Sequence, residues 1–142
     1  MQGLYAGKVV SIKDPEKRGR IKVTIAELLG EAISGWCDPC IPCCFEGGGD
    51  FCLPDMGDYV WVAFRDGDIN KPVYLGGWWS KNNSPLGDNY TNIDSRRIIN
   101  FGDMNIVMNA NDNSITLMTS DGDNTCTLKV TPKGAFLNGS AL

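Results

Sequence analysis

Hydrophobic and polar positions alternate along this chain in short runs separated by turn residues. Residues 5–13 (YAGKVVSIK) read as a first apolar strand. Residues 14–19 (DPEKRG) then turn, with Pro15 fixing φ and Gly19 admitting a left-handed backbone. In 20–25 (RIKVTI), Ile21, Val23 and Ile25 face one way and Lys22 and Thr24 the other, the pattern of a strand with one wet face. Residues 26–35 carry two glycines, which limits them to an irregular connection with at most a turn of helix. Pro39 and Pro42 exclude a regular helix or a central strand from 36–49. Tyr59–Phe64 and Pro72–Trp79 are strands flanking a polar turn, apolar at both parities, so both faces are expected to be covered. With the extended segment 51–54, about five strands fall between Tyr5 and Trp79. Their number and order predict a small five-stranded Greek-key barrel of the oligonucleotide/oligosaccharide-binding (OB) type.

Residues 80–95 are polar and rich in Asn, Ser and Asp, and read as a linker. The character then changes. From 96 to 142 the alternating segments RRIINF, MNIVMN, NSITLMT, NTCTLKVT and AFLN recur about every nine residues, predicting successive antiparallel hairpins. Ile106 and Met108, Ile115 and Leu117, and Cys126, Leu128 and Val130 each present a narrow apolar edge. So short a segment buries too little surface to offset a chain entropy of about 1–2 kcal/mol per residue. The predicted remedy is other copies of the chain. A threefold intertwined β-prism or β-helix would use Ile106, Met108, Ile115, Leu117, Leu128 and Val130 as a shared core and leave no open strand edge. The fold class is therefore all-β: barrel at 1–79, linker at 80–95, and a C-terminal needle of three chains at 96–142.

Composition narrows the chemistry. The formal charge is −4, so wrapping nucleic acid is disfavoured. No apolar run reaches the 18 residues of a membrane span. Residues 1–7 have neither a basic region nor an apolar core, so no secretion signal is expected and the thiols should be reduced. Histidine is absent, which removes the usual general base and the commonest metal ligand. Asp55 with Asp58, and Asp66 with Asp68, are possible acid/base pairs, but each lies in a turn where Asp is expected for backbone bonding. No enzymatic activity and no cofactor are expected.

Two features keep a binding function open. Cys37, Cys40, Cys43, Cys44 and Cys52 have a spacing that could hold zinc or an iron–sulfur cluster. The competing readings take them as small buried apolar residues, with Cys126 in a core strand, or as disulfide partners. Trp36, Trp61, Trp78 and Trp79, with Tyr59 and Tyr74, could stack single-stranded nucleic acid, or could pack the core and partner subunits. Lys13, Lys17, Arg18, Arg20 and Lys22 form a local basic patch suited to docking on an acidic surface.

Four pieces in order carry a resemblance: GKVVSIKDPEKRGRIKVTI at 7–25, the segment 36–42, FCLPDMGDYVWVAF at 51–64 and GDINKPVYLGGWW at 67–79. Together they resemble the N-terminal barrel of phage baseplate spike proteins, the baseplate assembly protein V group. The resemblance implies an OB barrel followed by a trimeric β-needle, in a virion tail baseplate or phage-like particle assembled in the bacterial cytoplasm. It implies baseplate hub partners, a possible tip-capping protein, and transient contact with a target cell envelope. Members with a lysozyme domain carry it between barrel and needle, where this chain has only 80–95. Some members end in a tip binding iron through a His-x-His pair, which a chain without histidine cannot build.

Overall fold

A computed structural model describes residues 2–81, 83 and 95–142, as two compact units that meet in sequence at Asn83 and Ser84. The expected linker at 80–95 lies largely outside the described residues.

The N-terminal unit contains β1 (Tyr5–Ser11), β2 (Lys22–Thr24), a single helical turn α1 (Ala26–Leu29), β3 (Asp38–Pro39), β4 (Cys44–Phe45), β5 (Gly48–Gly49), β6 (Tyr59–Phe64) and β7 (Pro72–Trp78). Five of these strands form one sheet in the order β2-β1-β6-β7-β3, and β4–β5 is a separate small hairpin. Pro39 sits on the outermost strand, where its missing N–H breaks no ladder. Ile21 and Cys37 then exchange backbone hydrogen bonds of 2.8 and 3.2 Å, tying the two edges of the sheet together. The strands curl into the expected OB-type barrel.

The alternation in 20–25 reads out directly. Ile21, Val23 and Ile25 are fully buried, together with Val9, Cys37, Val60, Val62 and Tyr74. Gly7 lets two strands close over this core: a Cβ there would lie 2.9 Å from Val62 Cγ2 and 3.3 Å from Val23. The outer faces of β6 and β7 are less covered than their composition implies, because Trp61 and Leu75 stay exposed. There Trp78 sits against Tyr59 (ring centroids 4.8 Å apart) and Trp61 (5.4 Å), so the aromatics largely cover one another.

Tyr74 donates a 2.7 Å hydrogen bond from its buried hydroxyl to the Gly19 carbonyl. Gly19 can place that carbonyl there because its φ is +76°. Burial, and then negative charge on nearby Cys37 and Cys52, pushes the Tyr74 pKa up to about 12. Burial likewise raises the Cys37 thiol. Both groups hold a proton in the folded state that the unfolded chain releases sooner. The contribution of Tyr74 is complete below its ordinary 10.0 and is lost as pH rises towards 12; that of Cys37 is complete below its ordinary 9.0 and is lost as pH rises beyond that. The barrel's melting temperature is expected to fall steadily above pH about 9. Tyr74→Phe should flatten the part of that fall above pH about 10, and an unchanged slope in that variant would refute the assignment to Tyr74.

The C-terminal unit is a single antiparallel meander of β8 (Arg96–Phe101), β9 (Met104–Asn109), β10 (Ser114–Ser120), β11 (Thr125–Thr131), β12 (Gly134–Leu137) and β13 (Ser140–Ala141). Each strand pairs only with its neighbours in sequence.

Candidate assembly interface

The register of this meander sorts its side chains by face. Residues directly opposite one another in antiparallel strands point the same way. Ile99, Ile106, Leu117, Leu128 and Leu137 are successive partners, so they form one apolar row crossing five strands. Arg97, Met108, Ile115, Val130 and Ala135 form a parallel row two residues to one side. Phe101 with Met104, and Thr119 with Cys126, form a third on the other side. All six residues of the expected shared core therefore lie on one face.

That face is uncovered in the single chain. Ile99 is 65% exposed and Phe101 66%, and Ile106, Met108, Ile115, Leu117 and Val130 are also exposed. Ile99, Phe101, Ile106, Leu117, Cys126 and Leu128 line a shallow apolar depression on it. Among the described residues of this unit the one buried side chain is Ser114, a polar one. The opposite face carries Asn100, Asn105, Asn109, Thr116, Thr127 and Lys129, with Ile98, Val107, Met118 and Phe136 among them. An apolar surface this continuous marks a place where something docks.

Sequence reading missed Ile99, Phe101, Met104 and Leu137 as members of this face. The signal was present in the odd positions of RRIINF. Ile98 and Ile99 are equally apolar, however, and only the pairing with β9 decides between them.

The cysteines do not behave as a group. Cys37 is buried, whereas Cys40, Cys43, Cys44, Cys52 and Cys126 are exposed, which corrects the reading of all of them as buried thiols. Cys44 lies on the β4–β5 hairpin, a two-residue ladder whose strands are exposed throughout, with Cys43 next to it in sequence, whereas Cys126 lies on the uncovered face of β11. Among the described residues no three Cys, Asp or Glu side chains converge as a metal site would require.

Within the basic patch, Arg18, Arg20 and Lys22 are engaged locally, while Lys13 and Lys17 are exposed. The Asp14 carboxylate accepts the backbone N–H of Glu16 (3.0 Å), Arg18 (2.8 Å) and Arg20 (3.2 Å). The Arg20 guanidinium also donates to it, at 2.7 Å through Nη2 and 3.1 Å through Nε. The Asp14 side chain is 3% exposed and that of Arg20 12%. Arg20 above all, and then these backbone donors, holds the Asp14 carboxyl far below its ordinary 3.8, so its contribution is lost only in strong acid. Arg18 and Arg65 both reach Asp38, at 2.7 and 3.4 Å. Arg20 and Lys22 lie over the Trp36 ring, so that ring is not a free stacking surface. Asp55 and Asp58, and Asp68 with Asn70, hold their turns through local hydrogen bonds.

The chain thus combines a five-stranded sheet curled in the OB manner with a second sheet that has one uncovered apolar face. The family described as Type VI secretion system/phage-baseplate injector OB domain matches residues 5–79. The chain belongs to that family, and its role is structural, within a baseplate-type injection apparatus and in association with other components of it. A search of curated proteins finds no match.

Proposed function

We propose that this protein is the central spike of a contractile injection machine, a phage tail or a phage-like particle. Three copies turn their C-terminal apolar faces towards a common axis to make a needle, while the barrel at 1–79 seats on the baseplate hub. The needle end enters the target cell envelope, with or without a separate tip-capping protein. The spike does no catalysis and needs no cofactor.

The observation that carries this reading is the apolar row from Ile99 to Leu137, laid bare in a unit that buries no apolar side chain among its described residues. Covering a half-exposed Leu or Ile regains about half of the roughly 1.5–3 kcal/mol that full burial is worth. Over three rows this outweighs what association costs, about 4–15 kcal/mol. The family match at 5–79 supplies the setting.

Light scattering on the full chain should give a mass near three times its 15.5 kDa, surviving in SDS without heating. In the same sample Cys126 should resist thiol reagents while Cys40, Cys43, Cys44 and Cys52 react at once, because only Cys126 lies on the shared face. A folded 15.5 kDa monomer with a reactive Cys126 contradicts the proposal.

A further inference from the structure

The turns of the C-terminal sheet gather at its two ends, and charge sorts with them. At one end lie the turns 102–103, 121–124 and 138–139. Their ionisable side chains, Asp103, Asp121 and Asp123, are all acidic and all exposed. At the other end lie the turns 110–113 and 132–133 and the start of β8. Here sit Arg96, Arg97 and Lys133. The Lys129 ammonium joins them, drawn there by a 2.9 Å ion pair with Asp112. Counting described residues only, three acids give the first end −3, and four bases against one acid give the second +3.

We propose that neighbouring copies of this chain meet end to end, the acidic turns of one against the basic end of the next. The inference rests on the reading that copies share the apolar face. Identical subunits related by a closed rotation make the same head-to-tail contact at every junction. If the axis runs along the cross-strand rows, each junction joins one end of a sheet to the opposite end of its neighbour, −3 against +3. If it ran along the strands, all the acidic ends would gather at one pole and all the basic ends at the other. Like charges held within about 8–10 Å repel even at physiological salt. The charge pattern therefore favours strands lying across the axis, with the ladder from Ile99 to Leu137 running along it. Arg97, the one cation on the apolar face, lies in the row nearest the basic end, so its long stem can pack there while its charge reaches the junction.

Three variants of the full chain test this by light scattering and sedimentation at low salt. The first is Asp103→Lys with Asp121→Lys and Asp123→Lys; the second is Arg96→Glu with Arg97→Glu and Lys133→Glu; the third combines all six. Each of the first two makes both ends alike, and each should need at least tenfold more protein to assemble, with the deficit shrinking as salt is added. The third restores opposite ends at every junction and should recover the parent mass and concentration dependence. That recovery also separates charge from misfolding, since the third variant carries every change of the other two. Unaltered assembly of the first two, or failure of the third to recover, overturns the end-to-end contact. An unaltered chain that is itself monomeric instead defeats the shared face on which the inference rests.

Discussion

Leu128→Asp is expected to give a chain that no longer associates, if copies share the apolar face as proposed. Leu128 lies inside the longest apolar row, flanked across the ladder by Leu117 and Leu137. In a threefold assembly the substitution brings three carboxylates together around one axis. At about 6 Å and an effective dielectric of about 20, each pair repels by about 3 kcal/mol. The burial of three leucines is lost as well. No plausible compensation in a six-stranded meander matches that sum. The measurement is mass by light scattering, with the barrel's own melting transition as a control for folding. The barrel transition should stay where it was while the mass drops to that of one chain. A variant that keeps the parent mass would show that Leu128 faces no shared interior.

Ile21→Ala should have the complementary effect. Ile21 is 0% exposed at the centre of the barrel core, and its backbone makes the bridge to Cys37 that ties the sheet edges. The bridge survives the substitution, but the side chain leaves a cavity. Losses of this kind run to about 2–5 kcal/mol. For a unit of this size that lowers the melting temperature by at least about 10 °C. The oligomeric mass should not change, because association is assigned to the other unit. A variant that melts with the parent would mean that the core can collapse around the gap. A variant that loses its oligomer would move part of the association into the barrel.

The two substitutions also mark what sequence could and could not convey. The strict alternation at Ile21, Val23 and Ile25 identified core positions because one face of that strand is wet, so period and burial coincide. For Leu128 and its partners the period gave the common face, but in the single chain that face is exposed, so burial does not follow the period there. In β8 both parities are apolar, and there the sequence was silent about the face. Cys37 and Cys40 looked equivalent by spacing. They differ because the barrel-tying bridge at Ile21 pulls the first inside and leaves the second beside a projecting hairpin. Pro15 and Gly19 announced the first turn, but Asp14, which binds three N–H groups and Arg20 there, did so only through its place at the turn's start. Trp36 as a seat for Arg20 and Lys22 depends on residues 14–16 positions away, which no local pattern encodes.

The pairing order of the two units has a consequence for synthesis. In the barrel, β1 must find β6, and Tyr5 lies roughly 57 residues before its partner Val62. At about 5–20 residues per second, the ribosome takes roughly 3–11 s to deliver that partner. Hairpins of the meander, whose strands are neighbours in sequence, close in about 1–10 μs once released. The barrel half is thus the half that waits, with β1 paired to β2 but its edge towards β6 open, and nascent chains stalled before residue 59 are where chaperone capture should be greatest.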